Sequence, residues 1–132
     1  MDRIHILNIE DTILKHVAIK RSLEKCRIDT KWIDRAGTAE DGLRMIEEAT
    51  VAGDPYDLLI TDMHFPLNGT PNVDAGMYVI EELKRRGIDM PIVVCSTIQY
   101  KIDGIAGCIS YNERMGNLDD DIRKMLKSLK LI

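Results

Sequence analysis

The sequence predicts an α/β domain built as a doubly wound parallel sheet with helices on both faces. Short apolar runs that read as strands alternate with segments of helical spacing. The five runs cover residues 4–9, 30–34, 57–61, 91–95 and 106–110. Residues 58–60 and 92–94 are apolar at every position, which is typical of strands buried from both sides. Parallel neighbours need crossover connections, so the alternation of strands and helices favours this architecture.

Four segments between or after these runs are predicted to be helices, because their apolar residues recur at intervals of three or four. They lie at 39–46, 76–83, 122–129 and 12–26, the last with apolar positions that drift around the helix axis. Thr38 and Asp41 resemble a capping box and indicate where one of these helices begins.

Length and composition limit the classes of protein that fit. The 132 residues are one domain's worth, so we expect a single domain over 1–132 without a separate output domain. Apolar residues make up 45% of the chain and the charges are mixed in sign, which excludes a disordered chain. The net charge is −4 with no basic stripe, so no nucleic-acid binding is expected. The apolar run at 4–9 is too short to span a membrane, so no membrane insertion is expected.

The cysteines indicate a reducing compartment. There are three, Cys26, Cys95 and Cys108, and none forms a C-x-x-C pair. An odd number without that spacing favours neither a disulfide framework nor a zinc site. We therefore expect a cytoplasmic protein.

Polar side chains follow three of the predicted strands, at the point where each strand ends. Glu10 and Asp11 follow the first run, Asp62 follows the third, and Ser96 and Thr97 follow the fourth. The ligand site of a doubly wound sheet lies beyond the carboxyl ends of its strands. Each residue alone is commonly a helix cap or a strand-end polar group. Clustered carboxylates with a hydroxyl nevertheless suit Mg²⁺ and a phosphoryl group.

These residues resemble the receiver domain of two-component response regulators, and the resemblance covers essentially the whole chain. The pair Glu10-Asp11 is similar to that family's metal-binding acidic pair. The stretch DLLITDMHFP at 57–66 is similar to the family's third strand with the phosphoacceptor aspartate and the proline that follows it. The stretch PIVVCST at 91–97 resembles the family's fourth strand, which ends in Ser or Thr.

The resemblance implies a flavodoxin-like sheet of strand order 2-1-3-4-5 and a role in signalling rather than as an enzyme. Asp62 would accept a phosphoryl group from a histidine kinase or phosphotransfer protein. The cofactor Mg²⁺ would be held by Glu10, Asp11, Asp62 and the backbone carbonyl of His64. Ser96 would donate a hydrogen bond to the phosphoryl group, and the signal would pass to a downstream protein.

Two positions near the predicted fifth strand depart from the family. Tyr111 occupies the position of the lysine that pairs with the phosphoryl oxygens, and a phenol carries no positive charge. Cys108 occupies the position of the switch aromatic, where a small thiol is most simply explained as core packing. Lys101 and Arg114 are the candidates to replace the missing cation.

Two connections also differ in length from those of the family. Ser96 and Tyr111 are only fifteen positions apart, so we expect the helix between the fourth and fifth strands to be shortened or absent. The loop at 63–73 is longer than the family's, contains two prolines and a glycine, and is expected to lie over the site. We favour a tolerated surface insertion over a lid, because loops vary freely.

Three functions remain open from the sequence. The first is a stand-alone phosphoacceptor receiver. The second is a pseudo-receiver that acts as a phosphorylation-independent interaction module, which Tyr111, Cys108 and the short crossover favour. The third and least favoured is a magnesium-dependent nuclease or phosphotransferase, since no basic substrate surface is evident.

Overall fold

The computed structural model describes residues 3–112 and 117–132. A short 3-10 turn at Thr30–Trp32 precedes the second strand. The strands and helices follow one another in the order β1 (Ile6–Ile9), α1 (Ile13–Lys25), β2 (Ile33–Ala36), α2 (Ala39–Val51), β3 (Leu58–Thr61), β4 (Phe65–Leu67), β5 (Thr70–Asn72), α3 (Ala75–Arg85), β6 (Ile92–Ser96), β7 (Gly107–Ser110) and α4 (Leu118–Ser128).

The main sheet has five parallel strands in the order β2-β1-β3-β6-β7. Strands β4 and β5 form a separate antiparallel pair, so this order is the predicted 2-1-3-4-5. Helices α2 and α3 pack together on one face, and α1 packs against α4 on the other. The predicted doubly wound α/β fold is therefore confirmed.

The central strands are buried from both sides, as their apolar runs predict. In β3, Leu58 and Ile60 belong to the core on the α1/α4 face, whereas Leu59 belongs to the core on the α2/α3 face. In β6, Val93 points to the α1/α4 face and Val94 to the opposite one. This alternation follows from the two-residue period of a strand, and it leaves the strand ends as the positions where polar groups meet solvent.

The second strand begins three residues later than predicted. Residues 30–32 form the 3-10 turn, and β2 begins at Ile33 rather than at residue 30. The Asp29 carboxylate accepts a hydrogen bond from the Lys31 N–H and so stabilises the turn. Ile33 and Ala36 are the buried residues of the strand that follows.

The connection between β6 and β7 contains no helix anywhere in 97–105, as its length predicts. β7 lies directly beside β6, and the Tyr111 N–H donates to the Ser96 carbonyl at 2.7 Å.

The 63–73 segment is a β-hairpin rather than an irregular loop. Asn68 and Gly69 form its turn with φ of 54° and 79°, and two positive φ values are the signature of a type I′ turn. The Asn68 N–H donates to the Glu40 carboxylate at 2.8 Å, which ties the tip of the hairpin to the start of α2. We expected the segment to lie over the site; instead, its tip contacts α2, and residues at its base, such as His64 and Val73, line the cavity described below.

Within 3–112 and 117–132, no helix is both long enough and apolar enough to cross a membrane. All three cysteines are free thiols.

Candidate functional site

The candidate site lies where β1 and β3 end side by side, the point at which the strand order of the sheet reverses. The Asp62 N–H donates to the Ile9 carbonyl at 3.1 Å, so Asp62 continues the register of β3 one step beyond the sheet. The Glu10 N–H donates to the Ala36 carbonyl at 2.9 Å and so continues β1 in the same way. The topology therefore places Glu10 and Asp62 together, as the sequence predicts.

Asp62 lines a cavity of about 380 Å³ at this rim. Its side chain is 17% exposed, and its Oδ1 accepts a hydrogen bond from the Met63 N–H at 2.7 Å. Helix α3 begins against the same loop, because Gly76 lies so close that a Cβ atom there would be 2.6 Å from the Asp62 carbonyl oxygen. The Asp62 carboxylate is thus held by its own loop and is accessible from the cavity.

Lys15, which the sequence analysis did not single out, places its ammonium between the two carboxylates. Lys15 Nζ lies 2.9 Å from Glu10 Oε1 and 3.0 Å from Asp62 Oδ2. It also donates to the Cys95 carbonyl at 2.7 Å. Lys15 is only 6% exposed, so this is a buried ion-pair network rather than a surface salt bridge.

A signal for Lys15 was present in the sequence. In α1 the buried residues are Lys15, Ile19, Ser22 and Leu23, which share one face at helical spacing. A lysine on a helix's core face, five residues after a strand-end glutamate, requires a buried anionic partner. The drift of the apolar positions in 12–26 obscured which face was buried.

Burial and neighbouring charges shift the pKa values of Glu10 and Lys15 in opposite directions. Burial is the largest influence on the Glu10 carboxyl and raises its pKa, although Lys15 opposes the rise. Burial acting alone would lower the pKa of Lys15, but the negative charges of Glu10 and Asp62 outweigh it and raise that pKa. The Lys15 ammonium therefore stays protonated at neutral pH.

Ser96 and Tyr111 complete the wall of the cavity. Ser96 is the last residue of β6, and its Oγ accepts a hydrogen bond from the Ile98 N–H at 3.3 Å. Tyr111 follows β7, and Lys15 Nζ lies 5.3 Å from the centroid of its ring, within range of a cation–π contact. Both predicted positions thus line the same cavity as Asp62.

The other members of the predicted metal set are placed differently. Asp11 is exposed, and neither it nor Glu10 is among the described residues that line the cavity. His64 is exposed at the cavity wall. Within 3–112 and 117–132, no three side chains of His, Cys, Asp or Glu are grouped so that they could hold a metal ion. The predicted Mg²⁺ set of Glu10, Asp11, Asp62 and the His64 carbonyl stays a prediction.

Lys101, a candidate to replace the missing lysine, and Cys108, at the position of the switch aromatic, are not among the described residues of the cavity wall. Lys101 is exposed. Arg114 lies outside the described residues. Cys108 is partly buried and packs against the core on the α2/α3 face, in agreement with a packing role.

Comparisons with known proteins identify the fold. No family model and no curated protein matches the chain. Among solved structures, the chemotaxis response regulator CheY4 of Vibrio cholerae is 15% identical with a TM-score of 0.71, covering 95% of this chain and 100% of its own. A CheY-like response regulator receiver domain protein from Methanospirillum hungatei is 18% identical with a TM-score of 0.69, covering 98% of this chain and 96% of its own.

A third similar structure contains ligands. The receiver domain of the histidine kinase CKI1 from Arabidopsis thaliana, complexed with Mg²⁺ and BeF3⁻, is 14% identical with a TM-score of 0.61. The match covers 93% of this chain and 89% of that one. Together these structures show that the chain has the receiver-domain fold, which confirms the resemblance drawn from its motifs.

Proposed function

We propose that this protein is a response-regulator receiver that accepts a phosphoryl group on Asp62 and signals through protein–protein contacts. One observation carries the proposal. The Asp62 carboxylate opens onto a cavity at the carboxyl end of the sheet, with a buried ammonium 3.0 Å from its Oδ2 and the Ser96 side chain in the same wall. A nucleophile, a fixed positive charge and a hydroxyl donor are the groups that phosphoryl transfer to a carboxylate needs.

The reaction is a displacement at phosphorus. An Asp62 carboxylate oxygen forms a bond to the phosphorus of a phosphohistidine on the partner, and the phosphorus–nitrogen bond breaks. Its electron pair returns to the imidazole, which takes up a proton, and Asp62 becomes an acyl phosphate. Because the transferred group is strongly anionic throughout, positioned positive charge and hydrogen-bond donors supply most of the catalysis. Ser96 would donate its hydroxyl hydrogen to a phosphoryl oxygen.

Mg²⁺ is the cofactor that the sequence predicts for this reaction, and the CKI1 receiver structure includes it. In this chain the Lys15 ammonium already lies between Glu10 and Asp62, and Asp11 is exposed. The arrangement does not fit a Mg²⁺ ion held jointly by these three carboxylates. We therefore assign no step of the transfer to a metal ion.

The proposed partners are a histidine kinase or phosphotransfer protein as donor and a downstream protein as receiver of the signal. Four exposed apolar side chains lie close to the cavity or at the start of α1, which begins three residues after Glu10: Ile13, Leu14, Val73 and Ile98. Apolar side chains grouped near a polar site are typical of surfaces where proteins dock. Cytoplasmic location stays a prediction from the free cysteines.

The proposal is tested by incubating the protein with a small phosphodonor such as acetyl phosphate and measuring its intact mass. We expect one added phosphoryl group in the wild type and in Asp89→Asn, an exposed carboxylate outside the cavity wall. We expect none in Asp62→Asn, because the amide is not a nucleophile for this reaction. Equal labelling of Asp62→Asn would show that the phosphoryl group resides elsewhere.

A phosphorylation-independent interaction module is the second candidate, and the ion pair of Lys15 with Asp62 favours it. A carboxylate already paired with an ammonium has less negative charge available for attack. This candidate predicts no adduct in the wild type with either acetyl phosphate or a phosphorylated kinase. It also predicts that Asp62→Asn binds the downstream partner as the wild type does.

The third candidate, a magnesium-dependent nuclease or phosphotransferase, gains no support from the described site. The fold is that of signalling receiver domains, and the described carboxylates are not grouped around a metal position.

A further inference from the structure

We propose that Lys15 is the phosphoryl-binding cation of this site, and that its ammonium holds the position between Glu10 and Asp62 where a divalent metal ion was expected. The proposal rests on the proposed function, since it assigns a role within the same reaction. It differs from the family pattern in two respects: the cation belongs to α1 rather than to the end of the last strand, and it is covalently part of the chain.

The contacts of Lys15 match the requirements of an ammonium group. An ammonium has three N–H donors, and three oxygens surround this one, from Glu10, Asp62 and the Cys95 carbonyl. Their distances from Nζ run from 2.7 to 3.0 Å. The contact to the Cys95 carbonyl is a hydrogen bond and the two carboxylate contacts are ion pairs, whereas Mg²⁺ requires oxygens at about 2.0–2.1 Å. The oxygens are therefore spaced around a nitrogen and not around Mg²⁺.

Access to the carboxylates also favours this assignment. Lys15 and Asp62 line the cavity, whereas Glu10 does not and is only 1% exposed. A metal ion that entered from the cavity would meet Lys15 before it reached Glu10. A divalent metal ion can therefore occupy the position between Glu10 and Asp62 only if the ammonium first leaves these two carboxylates.

Tyr111 explains why the cation comes from α1. It occupies the position after β7 where the family has a lysine, and its ring lies 5.3 Å from Lys15 Nζ. An aromatic face stabilises a neighbouring ammonium without adding a second charge. The chain thus keeps one cation beside the phosphoacceptor but supplies it from α1.

The position of Lys15 relative to Asp62 gives it a direct role in the reaction. Its ammonium lies 3.0 Å from Asp62 Oδ2, so oxygens of a phosphoryl group added to Asp62 fall within reach of the same donors. Lys15 is the one Lys or Arg among the described residues of the cavity wall. No other described side chain there carries a permanent positive charge toward the incoming group.

The first test compares phosphorylation rates with acetyl phosphate, each with Mg²⁺ and with EDTA. We expect the wild type to be labelled in both conditions and Lys15→Met to be about 10- to 100-fold slower in EDTA, the usual cost of a lost charged donor. Lys101→Met is the matched control and is expected to behave as the wild type. The double variant Lys15→Met/Tyr111→Lys places a cation at the end of β7, where the family has one, and should recover most of the lost phosphorylation rate.

The second test uses Mn²⁺ binding, measured by electron paramagnetic resonance on unphosphorylated protein. Removing the ammonium leaves Glu10 and Asp62 without a counter-ion, so Lys15→Met should bind Mn²⁺ at least about tenfold more tightly than the wild type. Adding Asp62→Asn to Lys15→Met should abolish that gain. Circular dichroism confirms folding, and if Lys15→Met does not fold, Lys15→Met/Glu10→Gln replaces it in the rate comparison.

The two tests separate the failure of this inference from the failure of the proposed function. The inference is overturned if Lys15→Met is labelled as fast as the wild type, or if the wild type binds Mn²⁺ as tightly as Lys15→Met. If the wild type forms no Asp62 adduct under any condition, the proposed function and the phosphoryl role of Lys15 both fail. The Mn²⁺ comparison then still decides whether Lys15 holds the metal position.

Discussion

At the scale of single residues, Gly76 shows how tightly the loop after β3 is packed. A Cβ at this position would lie 2.6 Å from the Asp62 carbonyl oxygen and 2.8 Å from the Met63 Cα. Both atoms are backbone, so the loop and not a flexible side chain would have to move. The Gly76 N–H also donates to the Met63 carbonyl at 3.0 Å, which joins α3 to the loop. The position of Asp62 thus depends on the absence of a side chain at residue 76.

We expect Gly76→Ala to destabilise the protein by about 1–3 kcal/mol, as overpacking typically does, and to slow labelling of Asp62. Urea unfolding measures the first effect and intact-mass kinetics the second. Gly37→Ala is the control, because the added Cβ would meet only the end of the Arg35 side chain, at 3.2 Å, and no backbone atom. Unchanged stability in Gly76→Ala would show that the loop relaxes without cost.

At the scale of elements, α1 and α4 are joined by a polar cluster as well as by their apolar faces. Asp119, in the first turn of α4, accepts a hydrogen bond from the buried Ser22 hydroxyl on α1. The Lys25 ammonium lies 2.6 Å from the other Asp119 oxygen. Hydrogen bonds from Lys25 and Ser22 lower the pKa of Asp119 below its ordinary value. The cluster fixes α4 to the helix that carries Lys15.

We expect Asp119→Asn to lower stability by about 0.5–1 kcal/mol at pH 7, a small value because the pair is partly exposed. The sign of the pH dependence follows from the lowered pKa. The stabilisation by Asp119 is present above its unfolded pKa of about 3.9 and is lost as the pH falls through the folded value. Urea unfolding of wild type and variant should therefore differ at pH 7 and converge as the pH falls below the lowered pKa of Asp119. A difference that persists in acid would contradict this account.

At the scale of the whole molecule, Lys15 connects four parts of the fold. Its backbone belongs to α1, and its ammonium contacts residues that follow β1 and β3 together with the Cys95 carbonyl within β6. Lys15 therefore joins the strand ends that form the candidate site and also lines its cavity. Removing only one partner of such a buried ion network strongly destabilises the fold, because the remaining charge stays in a low-dielectric site.

We expect Lys15→Met to lower the free energy of unfolding by about 3–5 kcal/mol, since it leaves Glu10 buried without its counter-ion. Lys15→Met/Glu10→Gln should be less destabilised than Lys15→Met, because both buried charges are removed together. Urea unfolding of the two variants and of Glu10→Gln completes a double-mutant cycle. Additive effects in that cycle would mean that Lys15 and Glu10 are not coupled.

The sheet, and most of the polar residues at the ends of its strands, could be predicted from local sequence patterns. Residues 58–60 and 92–94 are apolar throughout, and only a strand covered on both faces buries such a run. The polar residues that follow, Asp62 and Ser96, had to lie at one edge because parallel strands end on the same side. The fifteen positions from Ser96 to Tyr111 predicted a shortened or absent helix, and none is present in 97–105.

Which charged side chains come into contact depends on how the helices and strands pack, and local patterns do not show it. Residues 30–34 carried an apolar pattern, but the cap from Asp29 formed a 3-10 turn there and moved the strand to Ile33–Ala36. The apolar positions of 12–26 drift, so the rotation of α1 was set by packing against the sheet and α4 rather than by its own pattern. That rotation directs Lys15 to Asp62, 47 positions away in the sequence. Local periodicity fixes where a strand or helix forms, whereas contacts between distant side chains depend on how those elements pack.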